Sequence, residues 1–215
     1  MRMIIQNSFL GLIAGLALSL ASTLSADTYE AGVHYVELPK QKSFVQTDKV
    51  QVTEFFWYGC SHCFKFEPMV NAWQKTLPED VVFTHTPAMW SKPMKLHARA
   101  YYTAVALGVL DKVHQPLFDA ININGKRLAS KAEIAEIFAQ QGVSAEDFDQ
   151  AFDAFGTISK VTQADQLARG YRISGVPTLV INGRYQVRAG MVKTFGEMIK
   201  VADYLIEKER EQLKP

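Results

Sequence analysis

Cys60 and Cys63 are the only cysteines in the chain, and Ser61 and His62 are all that separates them. Thiols at this spacing can exchange a small disulfide with another thiol, close an inert one, or supply two of a metal's ligands. A structural zinc site wants four ligands. No second CxxC exists, and His34, His85, His97 and His114 show no paired ligand spacing. No metal is therefore expected. An inert disulfide closing so small a loop would constrain the unfolded chain little. Redox exchange is the chemistry the pair favours, and the cysteines themselves carry the electrons, so no cofactor is expected.

The flanking residues give the pair a direction. Gln51–Tyr58 (QVTEFFWY) is aromatic and β-branched and has the length of a strand, with Glu54 its one acid. Gly59 breaks it. Beyond the pair, Cys63, Phe66, Val70, Trp73 and Leu77 follow the spacing of one buried helix face. Pro68 lies inside that pattern, which predicts a kink near Phe64–Pro68. Cys60 thus falls in the first helical turn, where unpaired N–H groups and the macrodipole favour an anion. An unperturbed thiol, with a pKa near 8.5, is only a few per cent ionised at pH 7. Lowering that pKa makes Cys60 a better leaving group, stabilises the reduced protein and makes the disulfide oxidising. Cys63, one turn further in, is expected to be buried. Cys60 reads as the exposed, exchanging sulfur and Cys63 as the resolving one, with His62 placed to donate to Cys60 or add positive charge.

The elements that must position this pair follow. Val81–Thr86 reads as a strand. Leu96–Leu110, Lys112–Ile121, Lys131–Gln141, Ala145–Phe155 and Ser159–Arg169 read as helices, punctuated by Gly108, Gly125, Gly142 and Gly156. Ser144 with Asp147 is a helix-start signal. Thr178–Ile181 and Tyr185–Val187 flank Asn182-Gly183, a hairpin signature. A final helix is expected from about Thr194 to Glu209, with Phe195, Met198, Val201, Ala202 and Leu205 on one face. This order implies an α/β (α+β) core with a large all-helical insertion.

Composition excludes much else. The 215 residues suit one domain with an insertion, and 48% hydrophobic with 21% charged residues rules out disordered, collagen-like and disulfide-dense classes. With 23 basic against 22 acidic residues there is no electrostatic case for nucleic acid. Arg2 precedes Phe9–Ala21, an apolar run of 13 residues. About 20 are needed to span a bilayer, so residues 1–26 read as a secretory signal, cleaved before Asp27. Export places the pair in an oxidising compartment.

At VTEFFWYGCSHCFKFEP the sequence resembles the DsbA family of bacterial periplasmic, thioredoxin-like thiol:disulfide oxidants. ALGVLDKVHQPLFDAI, GVPTLVINGRYQV and ADYLIEKER extend the resemblance over about Tyr29 to Lys208. It implies a thioredoxin-like core in two parts, 27–91 and 171–215, around a helical domain at 92–170. It implies that Cys60 is the nucleophile and Cys63 its buried partner. It matches Val176-Pro177 to a cis-proline loop that binds substrate beside the disulfide, and Glu54 to a buried acid beneath the site. The family's usual lysine partner for that acid is replaced here by His85, which suggests a hydrated Glu54–His85 proton relay to Cys63. An ordinary strand histidine is the alternative. Ser61 departs from the family's common Pro-His dipeptide, which bears on oxidising strength.

The resemblance further implies a monomer acting on unfolded exported polypeptides and reoxidised by a DsbB-like integral-membrane quinone reductase. Trp57, Tyr58, Met89, Trp90 and Met94 are candidates for an apolar substrate surface. A disulfide reductase or isomerase is the alternative on the same fold. Isomerases of this superfamily usually carry a separate dimerisation domain, for which there is little room before the first long strand. A binding or chaperone module with an incidental CxxC is a third reading, separated from the first by the Cys60 pKa.

Overall fold

The computed structural model describes residues 29–39 and 47–213. The proposed signal segment at 1–26 lies outside them. Among the described residues five strands form one mixed sheet: β1 (Val36–Glu37), β2 (Val50–Phe56), β3 (Val81–Pro87), β4 (Thr178–Ile181) and β5 (Tyr185–Arg188), in the order β1-β5-β4-β2-β3. β2 runs parallel to β3 and antiparallel to β4. Helix α1 (Ser61–Gln74) links β2 to β3, as a parallel pair requires. Between β3 and β4 come α2 (Lys92–Ala106), α3 (Leu110–Asn122), α4 (Lys131–Gln140), α5 (Ala145–Asp153) and α6 (Phe155–Gly170), with no strand among them. Helix α7 (Phe195–Leu213) follows β5 and is the last of the described elements. Among the described residues no helix is long and apolar enough to cross a membrane.

Strand alternation sorts the core. Val50 and Val52 of β2, with Leu179 and Ile181 of β4, pack under α1 and α7 against Phe66, Val70, Trp73, Met198, Val201 and Leu205. Their neighbours Phe55 and Val180 point the other way, onto Met94, Ala98, Val161 and Ala168 of α2 and α6. Phe56, Tyr58 and Cys63 face a third cluster with Tyr101, Val113, Leu117 and Phe118 of the helical block. Each such large side chain contributes roughly 1.5–3 kcal/mol by leaving water. The cysteine pair is therefore anchored where sheet and helical block meet.

Several boundaries differ from the sequence reading. Helix α1 ends at Gln74, so Leu77 packs on the core from beyond the helix. Pro68 lies inside the helix, as the spacing predicts. Helix α2 starts four residues earlier than expected, because Ser91 Oγ accepts from Met94 N–H and Pro93 fits the first turn. Gly108, at φ +66°, ends that segment, and Leu110 opens α3. The α5–α6 break falls at Ala154, in extended conformation, and Gly156 lies inside α6. Helix α7 continues past Glu209, whose carboxylate sits on its buried face. There it accepts from Asn182 Nδ2 at 2.6 Å and Arg184 Nη1 at 2.9 Å and pins the β4–β5 turn. Asn182 and Gly183 both take positive φ, as the expected turn demands.

Candidate active site

Cys60 is the N-cap of α1, with extended backbone at φ −93° and ψ 112°. Its Sγ accepts the Cys63 backbone N–H at 3.4 Å and, as a thiol, donates to the Val176 carbonyl at 3.4 Å. Gly59 before it is a steric requirement, since a Cβ there would collide with the Trp57 ring. That ring cannot easily yield. Its Nε1 donates to His97 Nδ1 at 3.0 Å, and His97 Nε2 lies 3.2 Å from the Leu128 carbonyl. Burial holds the His97 pKa down, so it is the neutral ring that receives the indole N–H.

The two thiols, both free, titrate in opposite directions. The Cys63 side-chain hydrogen bond, with backbone N–H donors from Cys63 and His62 and the nearby His62 charge, lowers Cys60 to about 6 against a partial burial penalty. Cys63 is fully buried, and loss of hydration pushes it well above the ordinary thiol value. Its bond to Cys60, the Cys60 charge and the Glu54 charge push in the same direction. At neutral pH the first sulfur is a thiolate and the second a thiol.

Val176-Pro177 is a cis peptide, and its carbonyl faces Cys60. His62 is exposed on the first turn of α1. Together His62, Val176, Ala189, Gly190, Val192 to Thr194 and Phe195 line a cleft of about 620 Å³ beside the pair. The segment from Ala189 to Phe195 carries no sequence motif and was not expected to contribute. Conversely, Tyr58, Met89 and Met94 are only 1%, 5% and 5% exposed, so these three belong to the core and not to a substrate surface. Trp90 is exposed but lines a different cleft, between α2 and α6.

Beneath the pair, Glu54 is completely buried, and its Oε2 lies 2.8 Å from His85 Nδ1 across the β2–β3 register. Burial raises the Glu54 pKa even against the pull of His85. Burial opposes charge on His85 as well, but Glu54 outweighs it and the His85 pKa rises. The pair thus keeps a proton readily. A second buried acid, Glu67, was not foreseen. His114 Nε2 lies 3.0 Å from Glu67 Oε1 and outweighs burial to lower its pKa, while His114 Nδ1 lies 2.7 Å from the Tyr58 hydroxyl. Glu67, His114 and Tyr58 come from three places in the chain that no spacing rule links.

The arrangement matches known proteins. A family model described as a DSBA-like thioredoxin domain covers residues 51–199. The thiol:disulfide interchange protein DsbA of Azotobacter vinelandii is 43% identical over 190 residues, covering 88% of this chain and 89% of that protein. The protein of the same name from Pseudomonas aeruginosa is 38% identical over 209 residues, covering 97% and 99%. The crystal structure of P. aeruginosa DsbA superposes with a TM-score of 0.83 at 40% identity, covering 88% of this chain and 99% of that one. Xylella fastidiosa DsbA gives 0.79 at 32% identity, covering 85% and 98%.

Proposed function

The chain belongs to the DsbA family of thioredoxin-like protein disulfide oxidoreductases, and from that premise we propose that it runs in the oxidising direction, donating the Cys60–Cys63 disulfide to unfolded exported proteins. The observation that carries this is the opposite titration of the two sulfurs. A substrate thiolate attacks Cys60 Sγ, and the Cys60–Cys63 bond breaks. Cys63 leaves and takes a proton. A second substrate thiolate then attacks the substrate sulfur of the mixed disulfide, and Cys60 leaves as a thiolate. Two electrons pass from the substrate thiols to the protein, and the substrate gains its disulfide. A leaving group with a pKa of about 6 makes the last step favourable and the reduced protein stable.

In this reading Glu54 and His85 supply the proton to Cys63, and Val176 with cis-Pro177 presents backbone to an extended substrate strand in the adjoining cleft. His62 supports the Cys60 thiolate. The protein acts as a monomer in the periplasm after loss of residues 1–26, with a helical domain at 92–170 inserted between core segments 27–91 and 171–215. A quinone-linked membrane protein of the DsbB type restores the disulfide. Equilibration of the purified chain with glutathione redox mixtures tests the direction. The expected potential lies well above the glutathione couple, so the protein stays reduced where ordinary structural disulfides are formed. A potential well below that couple would make it a reductase.

A further inference from the structure

Behind the active-site helix, side chains from three separate elements converge. Glu67 of α1, His85 of β3 and His114 of α3 each offer one donor atom, and these atoms all lie within 4.8 Å of one another. Each is already aimed by a neighbour. His85 Nδ1 faces Glu54 Oε2 at 2.8 Å, His114 Nδ1 faces the Tyr58 hydroxyl at 2.7 Å, and Glu67 Oε1 accepts from Asn71 Nδ2 at 2.8 Å. Metal-binding histidines are held in this way, with one ring nitrogen fixed by a carboxylate or another polar group and the other meeting the ion; here His114 Nε2 faces Glu67 Oε1 at 3.0 Å, and the ion would enter between them. Glu67 Oε2 is buried with no hydrogen-bond partner. Glu54 and Glu67 are 0% and 1% exposed, so negative charge on either is costly without a cation close by. His85 lines a cleft of about 550 Å³ with Thr84, Tyr101, Lys160 and Gln163, beside β3, the last strand in the sheet order.

We propose that Glu67, His85 and His114 bind a divalent transition-metal ion, with Zn²⁺ the best match to two imidazoles and one carboxylate. Glu54, Tyr58 and Asn71 orient the three ligands, and water takes the remaining position. Ligands about 2.0–2.1 Å from a tetrahedral ion stand about 3.3 Å apart; His114 Nε2 and Glu67 Oε1 are already 3.0 Å apart, so only the more distant donors draw in, by at most about 1.5 Å, as it binds. The site shares Glu54 and His85 with the proposed proton path to Cys63, but binding is measured on the oxidised chain, so its test does not depend on the redox reading.

The test titrates the purified chain with Zn²⁺, and in parallel with Co²⁺, while Cys60 and Cys63 are held as a disulfide so that no thiolate competes. One equivalent is expected to bind at micromolar concentration or below, and Co²⁺ is expected to give a visible spectrum without thiolate charge-transfer bands. His114→Gln and His85→Gln should each weaken binding by about tenfold or more, Tyr58→Phe should weaken it less, and His34→Gln should leave it unchanged. Imidazole resonances of the unsubstituted protein need no variant, and those of His85 and His114 should shift together at one equivalent. The proposal is overturned if the oxidised chain binds only at millimolar metal, if His114→Gln folds and binds unchanged, or if only the His34 or His62 resonances move.

Discussion

Cys60 and Cys63 stand one helical turn apart and meet opposite surroundings. Around Cys60 the chain supplies donors: the Cys63 and His62 backbone N–H groups and the exposed His62 ring. Around Cys63 it supplies apolar side chains of the helical block and, beneath them, the Glu54 carboxylate. One sulfur is built to hold charge and the other to refuse it. Burial alone does not make this difference, because Cys60 is itself half-buried and pays a desolvation penalty. Hydrogen bonding lowers Cys60, whereas burial, reinforced by the neighbouring Cys60 sulfur, raises Cys63. Cys60 accepts from a backbone N–H, while Cys63 is held as the thiol beside a thiolate.

The largest effect should come from removing one sulfur at a time. Cys60→Ala should lower disulfide-exchange activity by about a thousandfold or more, because no nucleophile replaces it. Cys63→Ala should instead leave Cys60 reactive and accumulate mixed disulfides with substrate, seen by intact-mass spectrometry. Equal behaviour of the two variants would erase the proposed division of roles.

A smaller effect separates two roles for the acid beneath Cys63. If Glu54 carries a proton through His85, Glu54→Gln should slow substrate oxidation by about a hundredfold in stopped-flow kinetics. If Glu54 acts only through its charge, the same change should lower the Cys63 pKa without slowing the reaction, since that charge now raises it. Unchanged rates together with an unchanged Cys63 titration would remove Glu54 from the chemistry altogether.

The comparison also predicts how stability depends on pH. A lowered acid pKa stabilises the folded reduced form most fully above the ordinary thiol value near 9, and that contribution fades as pH falls toward about 6. The oxidised form has no such group. The margin by which reduced exceeds oxidised protein in Tm should therefore shrink between pH 9 and pH 6 and level off below, in calorimetry at matched ionic strength. A margin that widened toward acid pH would contradict the assignment. The smallest effect is expected at Ser61. The donors to Cys60 come from His62 and Cys63, and proline is well tolerated at the first helical position. Ser61→Pro should leave the thiolate midpoint essentially where it is.

What could be read in the sequence was local. Cys60, His62, Cys63 and the strand–Gly–helix passage lie within a dozen residues, and the alternation of Val50, Val52 and Phe55 shows which side of a strand is which. Val176-Pro177 and the Glu54–His85 pairing needed the family resemblance, because each joins segments far apart in the chain. Glu67, His114 and Tyr58 stayed hidden. A glutamate on a helix reads as solvated, and nothing in the spacing of residues 58, 67 and 114 shows that α3 folds back onto α1. Glu209 misled for the same reason, since its burial depends on Asn182 and Arg184 from the hairpin. Tyr58, Met89 and Met94 read as surface because aromatic and methionine side chains serve both cores and binding faces.

The most direct measurement is a thiolate titration of the reduced protein, following ultraviolet absorbance, with Cys63→Ala to assign the transitions. The account predicts one thiolate forming with a midpoint near 6, belonging to Cys60, and no second thiolate up to at least the ordinary thiol range. A Cys60 midpoint at the ordinary thiol value, or both sulfurs ionising together, would contradict it.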